Sequence, residues 1–148
     1  MILGVHHIGV ATRDLDRLSS FYMRHFDGRI LNEFSWDEHN TALSLRLGLD
    51  VSSGRLAMVG FVSARIEIFE FSTPKIDSAD TRRSVAKPGF SHICFQVDDC
   101  QKEYERLVDL GMDFHAQPLV MPTGGIFAYG RDPDGNVVEI LQPPNVTV

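Results

Sequence analysis

Four side chains in this 148-residue sequence, His7, Glu67, His92 and Glu139, have types and surroundings suited to chemistry. His7 lies in "GVHHIGVATRD" from Gly4, and His92 in "GFSHICFQVDD" from Gly89. Glu67 sits in "RIEIF" and Glu139 in "VVEIL". Two neutral imidazoles and two carboxylates form a nitrogen- and oxygen-donor set that suits a divalent metal, with no soft sulfur in it. A metal so held polarises a carbonyl as a Lewis acid, and a carboxylate that loosens from it can take a neighbouring proton. Glu67 and Glu139 are therefore the candidate bases.

The elements that position these groups come in two copies. A shift of 85 places Gly4 on Gly89, His7 on His92 (92 − 7 = 85), Ile8 on Ile93 and Asp14 on Asp99. A shift of 72 places Glu67 on Glu139 (139 − 67 = 72), so the first half is longer in its middle, around "LRLGLDVSSGR". This ordered match of Gly, His, Asp and Glu points to duplication. Each half continues from its histidine strand into an amphipathic helix. The first spans 15–26, with Leu15, Leu18, Phe21, Tyr22 and Phe26 at helical spacing. The second spans 100–110, with Tyr104, Leu107, Val108 and Leu110, and Gly111 as its stop.

Strands are expected at "RILNEFSW", "TALSLRL", "RLAMVGFV" and "ARIEIFEF" in the first half. In the second half they are expected at "MDFHAQ", "GIFAYGRD" and "NVVEILQ", with "DPDGN" as a tight turn before the last. Each half reads as a βαβββ module, and two such modules give an α+β fold with a curved, mixed, mostly antiparallel sheet. Module one covers about 4–71 and module two about 89–143, with a polar linker over about 72–88, all within one domain of residues 1–148.

Strand parity assigns faces. Ile8 and Val10, Ile66 and Ile68, and Val138 and Ile140 mark the face under the helices. His7, Glu67, His92 and Glu139 share the opposite face with Gly9, Ala11, Phe69, Phe71, Phe90 and Leu141, a composition that suits a lined cavity. His6 points toward the helix layer or its edge. Secondary roles are weighed against packing: Tyr129 as a hydrogen-bond donor to substrate or a packed ring, and His115 as a pocket acid or base or an ordinary surface histidine. Arg131 reads as a brace for the "DPDG" turn. Cys94 shares the face of His92 and reads as a small filler.

Composition narrows the partners. A net charge of −6 argues against nucleic acid or an anionic membrane. Cys94 and Cys100 form neither a zinc spacing nor a disulfide framework. The start of the chain shows no signal-peptide pattern, and no apolar run is long enough to span a bilayer. A cytoplasmic protein acting on a small molecule is expected.

The motifs "HHIGVATRDLDRLSSFY", "IEIFE", "FSHICFQVDD" and "DPDGNVVEIL" resemble the vicinal oxygen chelate superfamily, which includes glyoxalases, methylmalonyl-CoA epimerases, extradiol dioxygenases and bleomycin or fosfomycin resistance proteins. The resemblance implies paired βαβββ modules forming a cup around one divalent metal ion per chain (Zn, Ni, Co, Mn or Fe). It also implies the ligands His7, Glu67, His92 and Glu139, a small-molecule substrate and a homodimer. The full ligand set looks most like glyoxalase-type lyases, isomerases and epimerases that transfer a proton next to a carbonyl. A non-haem Fe(II) extradiol-type dioxygenase and a ligand-sequestering resistance protein are the alternatives. Two positions depart from these relatives. Ala11 stands where glutathione-dependent glyoxalases carry an Arg, and no acid lies near Leu56, where the epimerases carry a second Glu.

Overall fold

The computed structural model describes residues 1–75 and 83–144. The chain divides into two compact units, Met1–Ala79 and Asp80–Val148. Part of the expected linker, residues 76–82, lies outside the described residues.

The first unit runs β1 (Ile8–Thr12), α1 (Leu15–Phe26), β2 (Arg29–Trp36), α2 (Thr41–Arg46), β3 (Ser53–Gly60) and β4 (Arg65–Thr73). Its sheet has the order β1-β4-β3-β2, with β1 parallel to β4 and the other pairs antiparallel. The second unit runs β5 (His92–Gln96), α3 (Cys100–Asp109), β6 (Asp113–Phe114), β7 (Leu119–Val120), β8 (Ile126–Arg131) and β9 (Val137–Gln142). Its order is β5-β9-β8-β6, with β7 also on β8 and β5 parallel to β9. The mixed, mostly antiparallel α+β character is as expected. The strands form two sheets, one in each unit.

The helices form where the sequence provides caps and an apolar stripe. Asp14 and Asp99 each occupy the N-cap and accept the backbone N–H three residues on, from Arg17 and Lys102 at 2.9 and 3.0 Å. In the first unit Leu15, Leu18 and Tyr22 of α1 are buried, as are Val59, Ile66 and Ile68 on the strands beneath. In the second, Leu107 and Cys100 of α3 are buried, with Val138 and Ile140. Each fully buried aliphatic side chain contributes roughly 1.5–3 kcal/mol. Gly111 follows α3 at φ +93°, a conformation that suits glycine at a helix end.

A second pair of anchors obeys the same two shifts. The Glu70 side chain accepts the Leu15 N–H at 2.7 Å, and the Gln142 side chain accepts the Cys100 N–H at 3.0 Å. Each ties the first turn of a helix to the end of the strand that carries the site glutamate. Glu70 also takes Arg55 at 2.8 Å, and Arg55 reaches on to both Asp16 carboxylate oxygens. Hydrogen bonding to Glu70 and then to Asp16 raises the Arg55 pKa.

Two expectations on local structure change. "TALSLRL" is the helix α2 and its C-cap, because Asn40 caps it through the Leu43 N–H at 3.1 Å. The alternating leucines misled, since Leu45 is exposed and Ser44 is the residue that turns inward. "MDFHAQ" keeps strand pairing only at Asp113 and Phe114. The chain rejoins β8 at Leu119 after Pro118, which has no N–H to give to a ladder. The extra length of the first half is α2 and the segment after it.

The anchors make a stability prediction. Glu70→Ala should cost about 1–2 kcal/mol, because it removes both a helix cap and an ion pair. Glu70→Gln, which copies the neutral anchor of the second unit, should cost less than about 1 kcal/mol. Urea denaturation of the two variants tests the order; equal losses would mean the backbone bond contributes little.

Candidate metal centre

Parallel pairing of the first and last strands of each unit brings the expected ligands together. In the first unit Gly9 is in register with Glu67, and in the second Cys94 is in register with Glu139. Each histidine lies two residues before that register point, on the same face. His7 Nε2 is 3.2 Å from Glu67 Oε2, and His92 Nε2 is 3.0 Å from Glu139 Oε2. The sequence shifts of 85 and 72 thus reappear as equal strand pairings. Among the described residues the pairs stand as pairs, and no group of three or more His, Cys, Asp or Glu side chains is assembled.

The residue before each site histidine holds its other ring nitrogen. Ser91 Oγ lies 2.8 Å from His92 Nδ1, and His6 Nδ1 lies 2.8 Å from His7 Nδ1. Such a bond fixes ring orientation and leaves Nε2 for a ligand. His6 also contacts Arg65, so its role is in the neighbourhood of His7, as a partner to its ring.

The second pair is more elaborately surrounded. Tyr129 stands opposite Glu139 across β8 and β9, and its ring meets His92 edge-on at 5.3 Å. Its hydroxyl pKa is raised by burial, by the charge of Glu139 and by a hydrogen bond to that carboxylate. Burial, followed by the same carboxylate, pushes the Cys94 thiol up to about 12. The Cys94 thiol hydrogen-bonds a site carboxylate, rather than acting as an apolar filler.

Beside Glu67 the same face carries an aromatic wall that the sequence reading glimpsed in Phe69 and Phe71. These rings stack at 5.7 Å, and Trp36 meets both edge-on, with Phe34 stacked on Trp36 at 6.3 Å. Trp36 is held by Nε1–H donation to Ser52 Oγ at 3.0 Å, and Ser52 is bonded to Ser44 of α2 at 2.9 Å. Gly54 allows this packing, because a Cβ there would come within 2.3 Å of the Glu70 carbonyl oxygen and 3.0 Å of the Trp36 ring. Trp36 and Phe34 carried no motif signal; only strand pairing places them on this face.

The remaining candidates fall away from chemistry. Arg131 donates to the Gly135 carbonyl at 2.6 Å and braces the turn as expected. Asp132 closes that turn by accepting the Asp134 and Asn136 N–H groups at 3.0 and 2.9 Å. His115 is exposed, and its N–H pairs with the Tyr129 carbonyl. His25 is buried and stacked on Phe21 at 4.2 Å. Phe90 is 90% exposed in the described structure. Among the described residues no helix is long and apolar enough to cross a membrane.

Comparison with known proteins agrees with this architecture. A lactoylglutathione lyase of Pseudomonas aeruginosa is 28% identical over 144 residues, covering 93% of this chain and 81% of that protein. A glyoxalase family protein of Bacillus cereus superposes with a TM-score of 0.86 at 18% identity, covering 98% of this chain and 97% of the other. A fosfomycin resistance protein of Listeria monocytogenes, solved with Mn(II) and sulfate, superposes with a TM-score of 0.65 at 20% identity over 98% and 96% of the two chains. The family model of the Glyoxalase/Bleomycin resistance protein/Dioxygenase superfamily matches residues 4–140, and the chain belongs to that superfamily.

Proposed function

We propose that the protein is a divalent-metal-dependent lyase, isomerase or epimerase of the glyoxalase type, moving a proton next to the carbonyl of a small oxygenated substrate. The observation that carries this reading is the twin His–Glu pair, at 3.2 and 3.0 Å, at the same place in two repeated units. In each pair the Nε2 and Oε2 atoms face one another, so the donor atoms a metal would share are already turned together. Two nitrogens and two oxygens fit a divalent ion such as Zn, Ni, Co, Mn or Fe. His7, Glu67, His92 and Glu139 would hold one such ion per chain, in a homodimer.

Bound there, the ion would supply Lewis-acid polarisation of the substrate carbonyl. The protein's own groups do the rest. A glutamate, Glu67 or Glu139, takes the proton from the carbon beside the carbonyl and can return it. Ser91 and His6 orient the ligand imidazoles. The aromatic wall beside Glu67 limits water at the reacting carbon, and Tyr129 supplies a hydroxyl at the second pair. The similarity to a lactoylglutathione lyase supports chemistry of this class. Ala11, where an arginine would grip glutathione, points to a different carrier or none.

Metal analysis of protein purified without chelator or affinity tag tests the centre. His7→Ala and His92→Ala should lose most of the bound metal, while His6→Ala retains far more; equal retention in all three would remove the assignment. Light scattering should return the mass of a dimer. With metal restored, replacement of the catalytic glutamate by Gln should slow exchange of the substrate α-proton into deuterated water by roughly 10²- to 10⁴-fold. Oxygen consumption with a catechol under ferrous iron would replace this reading with a dioxygenase. Drug binding without metal or turnover would replace it with a sequestering protein.

A further inference from the structure

Trp36, in the aromatic wall of the first unit, has no aromatic counterpart in the second, although the two units share one backbone plan. Phe69, Leu56 and Phe34 form one row across β4, β3 and β2, and Phe71, Gly54 and Trp36 form the next. Arg55 follows Gly54 and faces Glu70, as Ile126 follows Gly125 and faces Gln142, so the two glycines hold matching places. A Cβ on Gly54 would meet the Trp36 ring at 3.0 Å, whereas one on Gly125 would meet the Met121 methyl at 2.7 Å. One unit thus lays an indole where the other lays a thioether. Trp36 is fixed from α2 and the segment after it, the extra length of the first half. Ser52 Oγ accepts the indole N–H, and Ser44 Oγ pairs with both the hydroxyl and the backbone N–H of Ser52. Ser44 and Ser52 are fully buried, so they seat this ring from within.

The wall begins at the first His–Glu pair and ends in the open. Phe69 lies two residues beyond Glu67 on the same face, about 7 Å along the strand. Its ring leans toward Gly9, the residue in register with Glu67: a Cβ on Gly9 would stand 3.9 Å from Phe69 Cε2. Phe69 and Phe71 lie within 10° of parallel, Trp36 crosses them at 79° and 84°, and Phe34 lies at 9° to Trp36. Trp36 is 7% exposed and Phe34 48%, so the outermost ring is still open to a ligand. None of the six residues in the two rows is charged, and the one side-chain N–H among them, on Trp36, is already given to Ser52. Such a surface takes an apolar group, and it favours a flat ring, because aromatic rings gain from one another beyond the area they bury. We infer that the proposed proton-transfer site takes an aryl-substituted substrate: the carbon beside the carbonyl bears a phenyl-sized ring, which packs against Phe69 and Phe34. Phe34 and Trp36 set this specificity, and Ser52 is a positioning residue that acts through Trp36. The inference rests on the proposed metal centre and adds the class of substrate to it.

The test uses mandelate, hexahydromandelate and lactate on the Co(II)-loaded chain, three α-hydroxy acids that carry a phenyl, a cyclohexyl and a methyl group. Calorimetry gives the affinities, and the emission of Trp36, the single tryptophan, shows where the ring sits. Mandelate should bind about 2- to 10-fold tighter than hexahydromandelate, whose ring is of similar size but has no π face, and lactate should bind weakest. Mandelate should change the Trp36 emission and lactate should not. Phe34→Leu, which keeps an apolar side chain at a half-exposed position, should abolish the preference for mandelate over hexahydromandelate. Ser52→Ala should weaken mandelate and leave lactate at the parental affinity; equal weakening of both acids overturns its positioning role. Equal affinity of the parent for mandelate and hexahydromandelate, or a preference that survives Phe34→Leu, overturns the aryl site and leaves the metal centre standing. A parent protein whose visible spectrum shows no bound Co(II) overturns the centre itself, and the inference with it.

Discussion

Parallel pairing between the first and last strand of each unit is the constraint on which the site depends. In a parallel pair the side chains in register lie on one face, so a histidine at the start of one strand meets a glutamate two positions further along its partner. Everything between those strands can change without moving the pair. His7 and Glu67 are 60 residues apart (67 − 7) and His92 and Glu139 are 47 apart (139 − 92), yet the contacts are 3.2 and 3.0 Å. The difference of 13 residues is absorbed by α2 and its loop, which sit outside the parallel ladder.

The opposite face of each sheet is where the folding energy is gathered. Ile66, Ile68, Val138 and Ile140 are fully buried beneath their helices. Alternation then does two jobs at once: Glu67 of β4 and Glu139 of β9 are turned away from the core because their even-numbered neighbours are turned into it. A one-residue slip of either strand would bury a carboxylate and expose two isoleucines or their equivalents, so core packing enforces the site geometry.

This reciprocity is why so much was legible in the sequence. The His and Glu positions, their common face, both long helices and the strand bearing Glu67 follow from periodicity and from the repeat. What escaped was decided by hydrogen bonds that periodicity does not encode. Asn40 and the Ser44–Ser52 pair turn an alternating stretch into α2. Pro118 splits the outer strand of the second sheet. Trp36 reaches the site face by cross-strand pairing with Gly54. Tyr129 opposite Glu139 was within reach, because the "DPDGN" turn sets the register of β8 on β9, but its bond to the carboxylate requires coordinates.

The helix anchors carry a consequence for how the units respond to their surroundings. Glu70 works within a charged triad with Arg55 and Asp16, half open to water, whereas Gln142 does the same mechanical task with a neutral amide. Dissolved ions screen the first and have little hold on the second. Two units built on one plan therefore differ in their sensitivity to ionic strength: raising it should loosen the start of α1 before that of α3. The halves look alike in backbone but tell salt apart.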